Sequence, residues 1–382
     1  MSTLKVDAIR HNSATSDAIT TAADGTCTAN ITSNYSNRSV VYNGAMRIAQ
    51  RGTSFTGITA TGTFPVDRFK FHVGSLGTWT LSQSTDVPTG QGLGHSIKCD
   101  VTTANASPSG TAYARIDQRF EGQDLQRFCK GTSNAKNFAV SFWVKSPKTG
   151  THIVQLQDQD NSRNVSKAYT VSSANTWEKK ELIFPADTTG AFANDAGGSL
   201  FLAFYLAVGP DYQGGTLQTT WGTPVNNTRA TGQVNVADST SNDFYLTGVQ
   251  MEASSYCSEF EHKRFADELR DCQRYFQKSY NYDDAVGSSG VQGWFQWRRD
   301  GGNRPHIPMM TSMRSTPTFL AYNYTGGTSG QFRNASNGTN HAQGSVNVIA
   351  QNIVSFDGGA TGWNQIGTGE VGFMYYSLES EL

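Results

Sequence analysis

The spacing of apolar residues changes abruptly between residues 244 and 278, where a two-residue repeat gives way to a helical one. Phe244 and Leu246 fall on one side of the first segment and Tyr245 on the other, which is the alternation of a β-strand. The next apolar positions follow steps of three and four residues, as on one face of an α-helix: Phe265, Leu269, Cys272 and Phe276. The pattern therefore predicts a strand over 244–251 and a connecting helix over 261–278, with Leu269 buried in the joint that the helix forms.

Short strand-like runs separated by Gly, Ser, Asn and Pro occupy most of the rest of the chain. Between residues 40 and 260 they lie at 40–48, 79–81, 96–101, 112–120, 138–145, 152–156, 177–184, 200–208 and 244–251. No helix alternates with these strands, so the pattern favours an antiparallel jelly-roll sandwich over an α/β fold. After the helix, further runs predict a second, smaller sandwich over 279–382: 293–298, 319–324, 345–348, 353–356 and 372–378. The predicted fold class is all-β.

Residues 1–39 form a separate, polar segment with only brief strand signals, around residues 4–9, 18–19 and 29–31. The turn-like pair Asp24-Gly25 separates the last two. A segment of this size cannot bury a core of its own, and fixing its backbone costs about 1–2 kcal/mol per residue. We therefore expect it to be ordered by packing on its own domain, on sister subunits or on a larger particle; a flexible tail is the alternative.

Composition narrows the function without naming it. Of the 382 residues only 16% are charged and the net charge is −1, with no basic block that would indicate binding to nucleic acid or anionic membranes. No apolar run is long enough to span a bilayer, and the first residues lack the apolar core of a secretory signal. The five cysteines are widely spaced and include no C-x-x-C pair, which favours small buried thiols over a metal or redox site.

Catalytic motifs are missing from the sequence as well. No G-x-S-x-G elbow, H-E-x-x-H helix or P-loop is present, and the histidines are dispersed. Asp158 and Asp160 lie two residues apart and could share a site, but a solvated strand end is the preferred interpretation. We expect no enzyme activity, no metal site and no cofactor.

Aromatic residues suggest a binding surface on the predicted jelly roll. In the run 138–145, the alternation places Phe138, Val140, Phe142 and Val144 inward and Trp143 on the opposite side. In the run 200–208, Leu200, Leu202, Phe204, Leu206 and Val208 point inward, while Phe201 and Tyr205 face away. Trp143, Phe201 and Tyr205 are therefore the candidate glycan-binding residues, since flat rings stack on sugars. The alternative is that a loop, the helix or a neighbouring subunit covers these rings.

The strand F-x-L-T-G-V-Q-x-E followed by E-F-E-H-x-x-x-x-x-E-L-x-x-C-Q-R-Y-F resembles virion structural proteins of tailed bacteriophages, particularly fibre and appendage proteins. The ordered segments Gly77–Leu81, 94–98, 116–120, 138–145, 176–179 and 243–249 resemble jelly-roll carbohydrate-binding modules. In those modules the last strand usually carries a calcium-binding aspartate, but Thr247 stands at that position here, so this strand predicts no metal.

Together the resemblances imply a tail-fibre or appendage subunit of the virion, made in the host cytoplasm. Its expected partners are other virion proteins, bound through residues 1–39, two further copies in a homotrimer, and a host-surface glycan. One alternative is a capsid decoration protein that cements capsomers and binds no ligand. Another is a secreted carbohydrate-binding module, which the missing signal peptide disfavours.

Overall fold

The computed structural model describes residues 6–29, 37–299, 306–344, 346–356 and 363–382. The first part is a three-stranded antiparallel sheet made of β1 (Ala8–Ile9), β2 (Ile19–Thr21) and β3 (Cys27–Ala29). The Asp24 carboxylate accepts a hydrogen bond from the backbone N of Thr26 at 2.9 Å, which stabilises the predicted turn between β2 and β3. The three strand signals are thus confirmed where described, whereas Leu4, Asn30 and Ile31 lie outside the described residues. Val6 and Ile9 are 41% and 52% exposed, so this sheet buries no core.

The body of the protein is a sandwich of two six-stranded sheets. The first sheet has the order β13-β10-β15-β8-β7-β4 and the second the order β12-β11-β14-β9-β6-β5. In chain order the strands are β4 (Ser54–Ile58), β5 (Thr63–Val66), β6 (Phe69–Gly74), β7 (Thr78–Ser84), β8 (Ser96–Thr103), β9 (Tyr113–Glu121), β10 (Phe138–Lys145), β11 (Gly150–Asp158), β12 (Arg163–Val171), β13 (Glu178–Phe184), β14 (Gly198–Val208) and β15 (Asp243–Ala253). Successive segments cross repeatedly between the sheets, and their inward side chains form one continuous core. The predicted jelly roll is confirmed.

A smaller sandwich follows and is built around one long strand. Its strands are β16 (Phe276–Lys278), β17 (Phe295–Arg298), β18 (His306–Pro308), β19 (Thr318–Asn323), β20 (Gln331–Asn334), β21 (Asn340–Ala342), β22 (Val346–Ala350), β23 (Ile353–Phe356) and β24 (Val371–Glu379). β24 pairs with β16, β17, β19 and β20. The sheet β18-β23-β22 covers it, and Ile307 and Val354 join a core with Met374 and Leu378.

Helices are few and short. The α-helix α1 spans Phe265–Gln273, and short 3₁₀ helices lie at Gly122–Phe128, Pro210–Tyr212, Asn226–Thr228, Val236–Asp238 and Trp363–Gln365. No helix among the described residues is long and apolar enough to cross a membrane.

The predicted helix over 261–278 was too long, and its buried face was assigned only in part: Cys272 is buried as predicted, but Leu269 and Phe265 are not. Phe276 is not its last apolar position, because the residue pairs with Glu379 as the first residue of β16. Leu269 is only half-buried and Phe265 is 38% exposed, so the prediction that Leu269 is buried was wrong. Glu268 is buried instead, and its carboxylate accepts a hydrogen bond from the backbone N of Asn43.

The predicted strand over 40–48 is also wrong, although the segment is largely buried. Asn43 adopts a φ of 57°, and its side chain takes the place of strand partners. Its amide nitrogen donates to the carbonyls of Ile48 at 2.8 Å and Asp67 at 2.9 Å. Gly44 lies so close to β15 that a Cβ there would be 2.1 Å from the carbonyl oxygen of Val249. The backbone is therefore held irregular by a polar side chain and a close contact.

Polar contacts join the small sandwich to the jelly roll. Glu121 has a fully buried carboxylate at the end of β9, and it receives two hydrogen bonds from the Arg274 guanidinium, each of 2.7 Å, and one from the Tyr275 hydroxyl at 2.5 Å. Arg68 of the jelly roll forms an ion pair with Glu381. The segment that follows α1 is thus bonded directly to the second sheet.

Candidate functional site

A row of aromatic and charged side chains crosses the outer face of the first sheet. Lys145 of β10 pairs with Tyr245 of β15, and Tyr245 pairs with Lys98 of β8, so these three side chains project in line. Trp177 lies immediately before β13 and completes the row, with its ring 6.1 Å from that of Tyr245 in an edge-to-face arrangement. The Lys145 ammonium lies 4.5 Å from the Tyr245 ring centroid and 5.6 Å from that of Trp177. We call these residues the aromatic row.

Asp86 fixes the end of the aromatic row. Its carboxylate accepts a hydrogen bond from the Trp177 indole at 2.9 Å and forms an ion pair with Lys145. Partial burial would raise the pKa of Asp86, but the hydrogen bonds from Lys145 and Trp177 outweigh that effect and lower it. Asp86 therefore stays ionised and orients the Trp177 ring while part of the ring remains open to solvent.

Trp143 lies on the same outer face, in the next row of side chains. It pairs with Lys179 of β13 on one side and with Thr247 of β15 on the other. A Cβ at Gly248 would be 3.0 Å from Trp143 Cδ1, so the glycine lets the half-buried ring lie close to the sheet. Among the described residues the Trp143 indole nitrogen has no acceptor, and it is not one of the buried polar atoms without a partner. It is free to donate to a ligand.

Phe201 and Tyr205, the other two candidate residues, belong to the second sheet and lie on the opposite side of the sandwich from Trp143. They are 3% and 1% exposed. Tyr205 packs beneath the long connection between β14 and β15, against Tyr212, Leu217 and Ala230. Its hydroxyl donates to Gln155 Oε1 at 3.0 Å. The structure therefore does not bring the three predicted residues together, and cover by a loop, the alternative left open, is what it shows for Tyr205.

One residue of the predicted inward set is misplaced. Val208 packs with Tyr205 on the outer side of the second sheet, because β14 has a bulge between Tyr205 and Ala207 that shifts the alternation by one residue. The remaining inward residues of β10 and β14 are confirmed as core.

Trp177 and Tyr245 are the binding candidates that sequence reasoning missed. The alternation along the predicted strand already placed Tyr245 on the side opposite Phe244, and Trp177 is the first residue of the predicted strand over 177–184. The missing information was strand pairing: only the registers of β10 with β13 and β15 put Trp143, Trp177 and Tyr245 on one surface.

Asp158 and Asp160 do not share a site. Asp158 ends β11 fully buried, whereas Asp160 is exposed in the following turn and accepts a hydrogen bond from the backbone N of Ala193. The preferred interpretation of Asp158 as part of a solvated strand end was therefore wrong. No cluster of three His, Cys, Asp or Glu side chains suited to a metal ion occurs among the described residues.

The partner of Asp158 is the ammonium group of Lys130, and neither side chain is exposed. Lys130 Nζ lies 2.6 Å from Asp158 Oδ2 and 3.1 Å from Asp187 Oδ2. It also donates to the backbone carbonyls of Thr189 at 2.8 Å and Gly190 at 2.7 Å. This lysine cage ties three distant segments of the jelly roll to one buried cation.

No family model and no curated protein matches the chain. Among solved structures, the enzymatically active domain of tailspike protein 4 from bacteriophage CBA120 is similar over 56% of this chain and 21% of its own, with 14% identity and a TM-score of 0.30. A family 4 carbohydrate-binding module, CBM4, is similar over 56% of this chain and 99% of its own, with 13% identity and a TM-score of 0.27. The module TmCBM61, solved with β-1,4-galactotriose, is similar over 57% of this chain and all of its own, with 9% identity and a TM-score of 0.28.

These similarities fall on part of the chain only. The chain spans about a fifth of the length of the tailspike domain that it matches. With identities below 15% and TM-scores near 0.3, the likenesses carry no argument about ligand or activity.

Proposed function

We propose that this protein is a non-enzymatic structural subunit of a tailed-phage particle, a fibre or appendage protein that binds glycans on the host surface. The aromatic row with Trp143 is the observation that carries the glycan part. It offers two partly exposed tryptophan rings, an indole donor and fixed lysine and aspartate side chains on one sheet face, the combination that stacks on sugar rings and bonds their hydroxyls. Tyr245 is only 9% exposed and supports the Trp177 ring from the side. The sequence resemblance of residues 244–278 supports the virion part.

Removing rings from this surface should weaken glycan binding. We expect Trp143→Ala and Trp177→Ala each to lower the affinity for a glycan bound on an array by about tenfold, or about 1.4 kcal/mol, since each loses a stacking surface. Tyr256→Ala is the matched control, because Tyr256 is 39% exposed away from the row and should not affect binding. Unchanged binding in both tryptophan variants would show that this face is scaffold. Glycan binding by Phe201 and Tyr205 remains a prediction from the sequence, and it calls for the same measurement.

The assembly part of the proposal makes residues 1–39 the attachment and trimerisation segment. Val6, which precedes β1, and Ile9 within β1 are exposed apolar side chains that a neighbouring subunit would bury. Light scattering on the purified protein should give the mass of a homotrimer at micromolar concentration. A clean monomer would contradict the trimer.

The place in the particle is tested separately. A labelled antibody against the small sandwich should mark the tail in negative-stain images of the virion, and labelling of the capsid surface would instead favour a decoration protein. Three weakly binding copies on one fibre would gain affinity through multivalency.

A further inference from the structure

The small sandwich and the second sheet border an open cleft of about 630 Å³ on the side of the molecule opposite the aromatic row. The jelly roll contributes Lys70 and Arg119 to it, and the small sandwich contributes Arg314, Thr316, Thr318 and Glu379. This volume lies in the range of ordinary ligand sites, about 300–1,000 Å³. The lining is mainly polar, so a polar ligand suits it.

Lys70 and Arg119, two of the cations that line this cleft, form no ion pair with a described residue. Arg119 Nε is buried without a hydrogen-bond partner, and no carboxylate among the described residues forms an ion pair with its guanidinium. Lys70 lies beside the same space, and its ammonium is 5.6 Å from the centroid of the Phe64 ring. Because Arg119 Nε is shielded from solvent, a ligand in the cleft would bond the terminal nitrogens of the guanidinium, which are neither buried nor hydrogen-bonded to a described residue.

The neighbouring charges are already committed to other partners. Asp117 is bonded to His72 Nε2 at 3.1 Å and to Arg115 Nε at 3.2 Å. Arg314 donates to the backbone carbonyls of Ser380, Ala196 and Glu381 at 2.8–3.1 Å.

The cleft's two carboxylates are directed elsewhere. Glu381 pairs with Arg51 and Arg68, and Glu379 lies 3.5 Å from Arg51 with its side chain 47% exposed. Arg314 also forms no ion pair with a described residue, but its donors are used by backbone carbonyls, so Lys70 and Arg119 are the cations left to bind a ligand.

We infer that this cleft binds an acidic saccharide, with Lys70 and Arg119 holding a carboxylate of the sugar. Charge-assisted hydrogen bonds from a guanidinium and an ammonium are the strong interactions that such a carboxylate makes. Thr316 and Thr318 are exposed on the facing wall, where their hydroxyls lie ready to bond sugar hydroxyls. The site is separate from the aromatic row and does not depend on it.

Calorimetric titration of the full chain with oligosaccharides that carry uronic or sialic acids tests the inference. We expect at least one acidic glycan to bind, and its neutral counterpart to bind at least tenfold more weakly. Lys70→Gln and the double variant with Arg119→Gln should each lower the association constant, the double variant by at least tenfold. Lys70 is half-buried and makes no ion pair, so Lys70→Gln leaves the fold intact even if the double variant does not.

Two controls separate this site from others. Arg270→Gln removes an exposed cation from α1 and should leave binding unchanged. The cleft variants, in turn, should not affect a glycan bound by the aromatic row. The inference is overturned if no acidic glycan binds, if neutral and acidic forms bind equally, or if the cleft variants bind like the parent.

Discussion

Lys130→Met should lower the free energy of unfolding by about 3–5 kcal/mol, since it removes the cation from a buried group of charges. Asp158 and Asp187 would be left within the jelly roll with one fewer positive partner, and the carbonyls of Thr189 and Gly190 would lose their donor. For a domain of this size, the loss corresponds to a decrease in Tm on the order of 10 °C. Thermal melting followed by circular dichroism measures it.

Lys148→Met is the matched control for this variant. The Lys148 side chain is 32% exposed and pairs with Asp238 at the surface, where an ion pair contributes about 0–1 kcal/mol. We also expect Lys130→Met combined with Asp158→Asn to recover part of the loss, because one unpaired buried charge is removed. If Lys130→Met and Lys148→Met have the same melting temperature, the lysine cage does not hold the segments as described.

Glu121→Ala should separate the melting of the two sandwiches. The variant removes the acceptor of the Arg274 guanidinium and the Tyr275 hydroxyl, and the latter lies in a fully buried residue. We expect a cost of about 3 kcal/mol at the contact, as for other buried charge pairs that lose one partner. Differential scanning calorimetry should then resolve an early transition of the small sandwich.

Lowering the pH should reduce the difference in stability between the parent protein and Glu121→Ala. Burial would raise the pKa of Glu121, but hydrogen bonds from Arg274 and Tyr275 outweigh it and hold the pKa below the ordinary value of 4.5. A lowered pKa in the folded state means that the stabilisation is complete above pH 4.5 and is lost as the pH falls through the lower folded value. The gap between parent and variant should therefore narrow below pH 4.5. Glu181→Ala, at a side chain that is 50% exposed, should show neither the early transition nor this pH dependence.

The individual strands were largely predictable, because a buried strand face imposes its alternation on the sequence. The run 138–145 matches β10 at both ends, and the inward residues of that strand are all in the core. Four strands of the jelly roll were missed: β4, β5, β6 and β12. In β6 this happened although Phe69, Phe71 and Val73 alternate along the strand. The preceding Arg68 turns the chain with a φ of 73°, so the signal was split over two short strands.

The candidate site could be predicted only in part, since alternation gives the side of a strand but not the sheet to which the strand belongs. Trp143 and Tyr205 both point away from the core, yet β10 and β14 lie in different sheets. The lysine cage gave no local signal either, because Lys130, Asp158 and Asp187 meet only through the folding of distant segments. The apolar alternation likewise does not indicate that the long connection between β14 and β15 covers Tyr205.

The pairing of β24 has a consequence for how the chain is made. β16, β17, β19 and β20 all leave the ribosome before the strand with which they pair. Synthesis proceeds at about 5–20 residues per second, so these strands wait on the order of seconds, next to a jelly roll whose strands are already complete. Their unpaired edges are open to a neighbouring nascent chain during that interval. The translation of β24 thus sets the moment at which the small sandwich can close.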